Sequence, residues 1–212
     1  MEFDFIVVGG GSAGCVLANR LSADPSHRVC LVEAGGEDRS PWIHIPAGYV
    51  KTMVDPAVNW LFETKPEASS GNRAIPVPRG KVLGGSSGIN GMLYVRGQAR
   101  DYDTWGQMGC HGWSYSEVLP YFKRSENREQ GGDEYHGEGG PLNVAQPTVT
   151  YDTLDKVIEA GGELGYPTYH DYNGADQTGF AYFELTQKHG RRCSAKNAFI
   201  DPIRARKKHL VI

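Results

Sequence analysis

The sequence predicts an α/β fold that opens on a parallel βαβ unit and carries α+β insertions. Three observations predict it. A short apolar run, Phe3 to Val8, stops abruptly at three glycines. A stretch with apolar residues at helical spacing follows directly. A second short apolar run, Arg28 to Val32, then closes the unit on an acid.

Each element has its own reason. Phe3 to Val8 reads as a buried parallel strand, because its apolar residues run on without alternation. Ser12 to Ala23 places Ala13, Val16, Leu17 and Leu21 on one face, the spacing of an amphipathic helix. Gly9, Gly11 and Gly14 lie between strand and helix as G-x-G-x-x-G. In that pattern the glycines allow a tight turn, close approach of a pyrophosphate and close packing of helix on strand. The helix start adds free N–H groups and partial positive charge for phosphates. Glu33 ends the second strand, nineteen residues after Gly14, where an acid accepts hydrogen bonds from ribose hydroxyls. Strand, triplet, helix, strand and acid in register point to a Rossmann-like dinucleotide site; the alternative is a purely structural glycine turn. An acid at position 33 argues against a 2′-phosphate and so against NADP. FAD and NAD both fit.

The bulk properties bound the rest. The chain has 212 residues, 39 % hydrophobic and 22 % charged, with net charge -3. Its 28 glycines are nearly twice the usual ~7 % and come in clusters without a period. Basic residues run together only at Arg204 to His209, read as a solvated helix end, so nucleic acid is not expected as a partner. Cys15, Cys30, Cys110 and Cys193 form no CxxC pair, which argues against zinc and a redox motif. Cys15 and Cys30 read as small buried hydrophobes. The start "MEFDFIVV" has no basic n-region, and no apolar run approaches ~20 residues. Neither a signal peptide nor a transmembrane segment is expected, and a reducing cytoplasm, with possible membrane association, fits best.

A second glycine-rich stretch is "RGKVLGGSSGING", Arg79 to Gly91. A flexible linker would not carry Val82, Leu83 and Ile89 among its glycines. It reads as ordered backbone approaching a ligand, with serine hydroxyls and N–H groups on offer. Farther on, "DYDTWGQMGCHGWSYSEVLPYFKRSE" reads as a loop followed by a helix with Val118, Leu119, Tyr121 and Phe122 inward. Asp101 and Asp103 read as turn or cap residues. His111, His136, His170 and His189 read as structural. Gln130 to Val144 reads as a mobile surface loop, and the pair Asp133 and Glu134 finds no partner at metal-ligand spacing. Tyr151 to Leu164 has helical spacing, Gly179 to Gln187 the alternation of a half-buried antiparallel strand. Ser194 starts a further helix through Ala195, Ala198, Phe199 and Ile203.

Together, "GGGSAGCVLANRL", "LVEAGG", "NWLFETKP", "PRGKVLGGSSGINGMLYVRG", the 101–126 segment and "GRRCSAKNAFIDP" resemble the glucose–methanol–choline (GMC) flavin oxidoreductases, in that family's order and along the whole chain. The nearest look is to bacterial FAD-dependent alcohol and choline dehydrogenases. The resemblance implies an FAD-binding domain over 1–150, the start of an antiparallel-sheet substrate-binding domain over 151–190, and a return to the FAD domain over 191–212. It implies that Gly9, Gly11, Ser12, Ala13 and Gly14 hold the FAD pyrophosphate, and that Glu33, Ala34 and Gly35 meet the adenosine ribose. Val82, Gly85, Ser86, Asn90, Gly91, Met92 and Leu93 would line the isoalloxazine and ribityl chain, with Trp60 near the cofactor or in the core. Some relatives bind FAD covalently through a histidine just before the asparagine; Ile89 stands there, so non-covalent FAD is expected.

The implied reaction is oxidation of an alcohol to an aldehyde, with a histidine base taking a proton while hydride passes to flavin N5. A quinone or oxygen would take the electrons. The family's second signature and its catalytic histidine do not occur in these 212 residues, so no catalytic residue and no metal ligand is assigned. A truncated chain, inactive alone and folding poorly, is the expectation. The competing expectations are another Rossmann flavoenzyme, which would need a second G-x-G-x-x-G, and a non-catalytic nucleotide-binding module.

Overall fold

The structure is a computed structural model describing residues 2–169, 171–206 and 208–212. It divides into two compact units, Met1–Met92 with His189–Ile212, and Leu93–Lys188. The first division between them falls at Leu93. Residues 189–212 pack with the first unit.

In the first unit, β1 (Phe5–Val8) leads through α1 (Ser12–Leu21) to β2 (Val29–Val32). The strands are parallel in the register Phe5↔Val29 to Val8↔Val32. A strand at Leu210–Val211 adds to the far side of β2, with Val29 opposite Leu210. A parallel sheet is stable only when helices cover it. Here α1 buries Cys15 and Ala18, while Val7, Val29 and Leu31 supply buried strand residues. The expectation of a buried first strand is corrected. β1 is an edge strand; Ile6 is 64 % exposed and Val8 84 %.

The return segment is tied to α1. Asn19 Nδ2 donates to the Phe199 carbonyl at 2.6 Å, and Arg206 Nη1 donates to the Asn19 carbonyl at 2.9 Å. Arg204 pairs with Glu37 and Asp201, so the basic run is partly paired rather than simply solvated. Two short helices, α2 (Pro41–His44) and α3 (Tyr49–Thr52), and a small antiparallel pair, β3 (Phe62–Glu63) with β4 (Pro76–Val77), precede the second glycine segment. Ile43, Val58, Val82 and Ile89 form an apolar cluster beneath that segment.

The second unit opens on α4 (Ala99–Gln107) and α5 (Tyr115–Ser125). The expected loop before α5 is thus largely helical. Asp101 caps α4 through the Gln98 N–H, and Asp103 accepts the Tyr115 N–H at the start of α5. Val118 is buried, but Tyr121 is 68 % exposed and does not face inward. β5 (Glu126–Arg128) and β6 (Leu142–Val144) pair in parallel, and α6 covers Asp152–Glu163. Residues 179–186 form no continuous strand. Leu185 bridges antiparallel to both Leu93 and Ala145, and Phe180 bridges parallel to Thr168, so the alternation finds neighbours at isolated points instead of along a ladder. Among the described residues no helix is long and apolar enough to cross a membrane.

Candidate functional site

The two glycine segments meet. The second runs beside the turn after β2: Leu83 N–H donates to the Gly36 carbonyl, and Gly84 N–H to the Gly10 carbonyl at 2.7 Å. Gly85, with φ of +56°, lies so close to the first segment that a Cβ there would stand 2.7 Å from Gly11 Cα. A Cβ on Gly14 would stand 1.9 Å from the Gly9 carbonyl oxygen, which is what lets α1 start directly against the turn. Side chains are absent where backbone must touch backbone.

These contacts frame one cleft of about 480 Å³. Of the residues singled out from sequence, Gly9, Gly11, Ser12, Glu33, Ala34, Gly85 and Ser86 line it. Ala13, Gly14 and Gly35 belong to the same segments but are not among the cleft's lining residues. Val82 turns its side chain into the apolar cluster instead. Asn90 and Gly91 are exposed and Met92 is buried. Leu93 begins the second unit. Trp60 lines the cleft, and so do Arg79 and Gly80, which sequence reasoning missed although they directly precede the glycine motif. The Lys81 ammonium lies 4.9 Å from the Trp60 ring centre, a cation–π contact.

The electrostatics favour a phosphate group. α1 starts at Gly11 with no side-chain cap and no acid in its first turn. Its first N–H groups are therefore open, at the positive end of the helix dipole. Glu33 shapes the turn from the other side. Its Oε2 accepts the Gly10 N–H at 2.7 Å and its Oε1 the Gly35 N–H at 2.8 Å. Each carboxylate oxygen keeps a further lone pair. Cys15 is fully buried below the turn, where burial pushes its thiol up to about 11 and keeps it a thiol at neutral pH.

Beside this site sits a residue that sequence reasoning passed over. Arg192 is 4 % exposed and has no carboxylate partner among the described residues. Its Nε donates to the Ile43 carbonyl at 2.8 Å, and its Nη1 to the Ser87 carbonyl at 3.1 Å and to Asn90 Oδ1 at 2.8 Å. Burial pushes its guanidinium down to about 10. Lys196, close by in sequence, pairs with Asp38 and Asp201.

The second unit holds a different concentration of charge. Glu126 bonds Arg96 at 2.8 Å and His136 Nδ1 at 2.9 Å, while His136 Nε2 meets Asp171 at 3.0 Å. Arg128 bonds Glu184 at 2.7 Å and Asp133 at 3.2 Å. The loop 130–144 is therefore not wholly at the surface: His136 is 1 % exposed, because the loop inserts it between two acids. Asp133 does have partners, contrary to expectation; Asp171 lies far away in sequence. Glu126, His136 and Glu184, and likewise Asp133, His136 and Asp171, bring ligand atoms within 4.8 Å of one another. Two guanidinium groups already sit among those carboxylates, so side chains supply the positive charge. His170 lies outside the described residues.

Comparison with known proteins agrees with this geometry. The GMC oxidoreductase family model matches residues 3–212. An oxygen-dependent choline dehydrogenase of Rhizobium etli is 46 % identical over 207 residues, 98 % of this chain and 38 % of that protein. One of Vibrio vulnificus is 49 % identical over 209 residues, 98 % of this chain and 37 % of that protein. Among solved structures, pyridoxine 4-oxidase from Mesorbium loti superposes with a TM-score of 0.93 at 36 % identity, covering 99 % of this chain and 42 % of that one. The chain thus spans about two-fifths of the length of the relatives it matches. From its strand–glycine–helix opening to its last strand, this chain belongs to the GMC oxidoreductase family.

Proposed function

We propose that the first unit binds FAD in the glycine cleft, and that the chain serves FAD-dependent oxidation of an alcohol CH–OH donor to an aldehyde. One observation carries the reading: Gly85 packs on Gly11, so both glycine segments face a single cleft instead of two. The residues suit the cofactor. The uncapped start of α1, with Gly9, Gly11, Ser12, Ala13 and Gly14, offers backbone N–H groups to a diphosphate. Glu33 has lone pairs to spare for ribose hydroxyls, with Ala34 and Gly35 beside it. Gly85, Ser86, Asn90, Gly91, Met92 and Leu93 are assigned to the flavin end, and Val82 contributes backbone only. Ile89 is buried in the apolar cluster and has no nucleophile, which supports non-covalent attachment.

Bound FAD would supply the hydride acceptor for the alcohol carbon. The chain's own part is to bind, orient and exclude water; none of its side chains is assigned as the proton acceptor. Oxygen or a quinone is proposed to take the electrons, and a small primary alcohol of the choline or pyridoxine kind to be the substrate.

The test is to titrate the full chain with FAD, following quenching of flavin fluorescence, and then to offer choline and pyridoxine with a redox dye. Saturable one-to-one FAD uptake that Gly14→Val abolishes is the expected result. A chain that ignores FAD, or that takes NAD in its place, would overturn the reading.

A further inference from the structure

We infer that Arg192 is a positioning residue for the flavin end of the site, acting by fixing the amide of Asn90. The inference rests on the FAD reading above. Asn90 Oδ1 accepts from Arg192 Nη1 at 2.8 Å and from the Met92 N–H at 3.1 Å. Both contacts come from donors, so the oxygen side of the amide faces inward and the Nδ2 side is left over. No described residue accepts from Nδ2, and Asn90 is exposed. Asn90 is thereby held as an outward donor. The same oxygen holds the Met92 N–H, and Met92 has φ of 65°, a left-handed backbone that a methionine rarely adopts. One guanidinium thus sets both the orientation of an amide and the strained turn after it.

The setting of Arg192 fits this role better than a purely structural one. A buried guanidinium is ordinarily paired with a carboxylate. Arg192 instead spends its hydrogen bonds on the carbonyls of Ile43 and Ser87 and on Asn90, and its Nη2 has no partner among the described residues. Its positive charge stays uncompensated beside the loop Gly84–Met92. A fixed donor backed by an unpaired cation favours negative charge on whatever lies against Asn90, the preorganised arrangement that stabilises developing charge. A reduced, anionic flavin is such a group.

The experiment uses the full chain loaded with FAD, in four forms: unaltered, Arg192→Met, Asn90→Ala and the double variant. The readouts are the FAD dissociation constant and the two-electron midpoint potential. Losing one neutral hydrogen bond to the ring is a tenfold effect. Arg192→Met is therefore expected to weaken FAD binding about tenfold. It should lower the preference for reduced flavin by a similar factor, or about 30 mV for a two-electron couple. In the Asn90→Ala background the same substitution should change both quantities far less. Equal effects with and without Asn90 would overturn the inference, since Arg192 would then act on its own. So would unaltered values in a folded Arg192→Met chain. Should Arg192→Met fail to fold, Arg192→Lys, which keeps the charge and loses the fork, is read against the same expectation. An unaltered chain that binds no FAD overturns the binding reading itself; one that binds FAD while the variants stay silent overturns this inference alone.

Discussion

The two units spend their polar groups in opposite ways. Around the glycine cleft the donors are main-chain N–H groups, and the start of α1 has neither a side-chain cap nor an acid in its first turn. In the second unit Arg96, Arg128 and His136 face Glu126, Glu184 and Asp171 and largely satisfy one another. Bare backbone makes a site that waits for a partner from outside. A closed ion network holds its own unit together and offers little to a ligand. The lesson is that the denser cluster of chemistry-bearing side chains is here the less plausible binding site.

The sharpest way to break the comparison is Gly14→Val. Its Cβ would be driven to 1.9 Å from the Gly9 carbonyl oxygen, a backbone atom that cannot step aside. Overpacking of this kind costs ~1–3 kcal/mol, and more where the atom struck is backbone. The expected outcome is complete loss of FAD uptake, with a clear drop in thermal midpoint. A variant that still binds FAD like the unaltered chain would remove the reason for a glycine at 14.

The matching cut in the second unit is Glu126→Gln. It leaves Arg96 and His136 buried beside a neutral amide. Removing one partner of a buried pair costs ~3–5 kcal/mol. Urea denaturation should show the midpoint fall accordingly. A change below ~1 kcal/mol would show the network to be far better hydrated than its burial implies.

The network also makes a pH prediction. Burial alone pushes the His136 imidazole down, but hydrogen bonds to Asp171 and Glu126, and their charges, outweigh it and hold it up at about 9. Its folded pKa thus lies above the unfolded ~6.5. Stability from this group is fully present below pH ~6.5 and is lost as pH rises through 9, by about 3 kcal/mol in all. Arg96 and Arg128 are held above their ordinary range by the groups they face, and His136 and Arg128 hold the Asp171 carboxyl below its own, so these three stay charged across that window. Denaturation midpoints measured from pH 6 to 10 should fall across it, and His136→Gln should flatten the curve. A curve with the same slope in that variant would place the titration elsewhere.

Legibility in the sequence divides along the same line. The βαβ unit was readable because its signals are local: an apolar run, a glycine triplet, a helical period, an acid. The cleft was readable for the same reason, since Gly9, Gly11, Ser12, Glu33, Gly85 and Ser86 sit in two short motifs. Its other walls were not. Arg79 and Gly80 carry no pattern of their own, and Arg192 reaches Asn90 across about a hundred residues of chain. The ion network was illegible because Asp171 and Glu184 meet His136 and Arg128 only after folding. The exposed face of β1 was misjudged because an apolar run reports what a strand could bury, not which neighbours cover it.

The smallest expected effect compares two serines of the cleft wall. Ser86 Oγ accepts the Gly80 N–H at 3.1 Å, a bond internal to the second glycine segment. Ser12 makes no hydrogen bond with its hydroxyl to any described residue and stands exposed at the start of α1. Without FAD, Ser86→Ala should cost ~1 kcal/mol, and Ser12→Ala under ~0.5 kcal/mol. With FAD the order should reverse, because a hydroxyl at an open helix start is worth most when a phosphate lies against it. Thermal midpoints of both variants, with and without the cofactor, make the comparison directly. If Ser86→Ala remains the costlier change at saturating FAD, the phosphate does not sit at the start of α1.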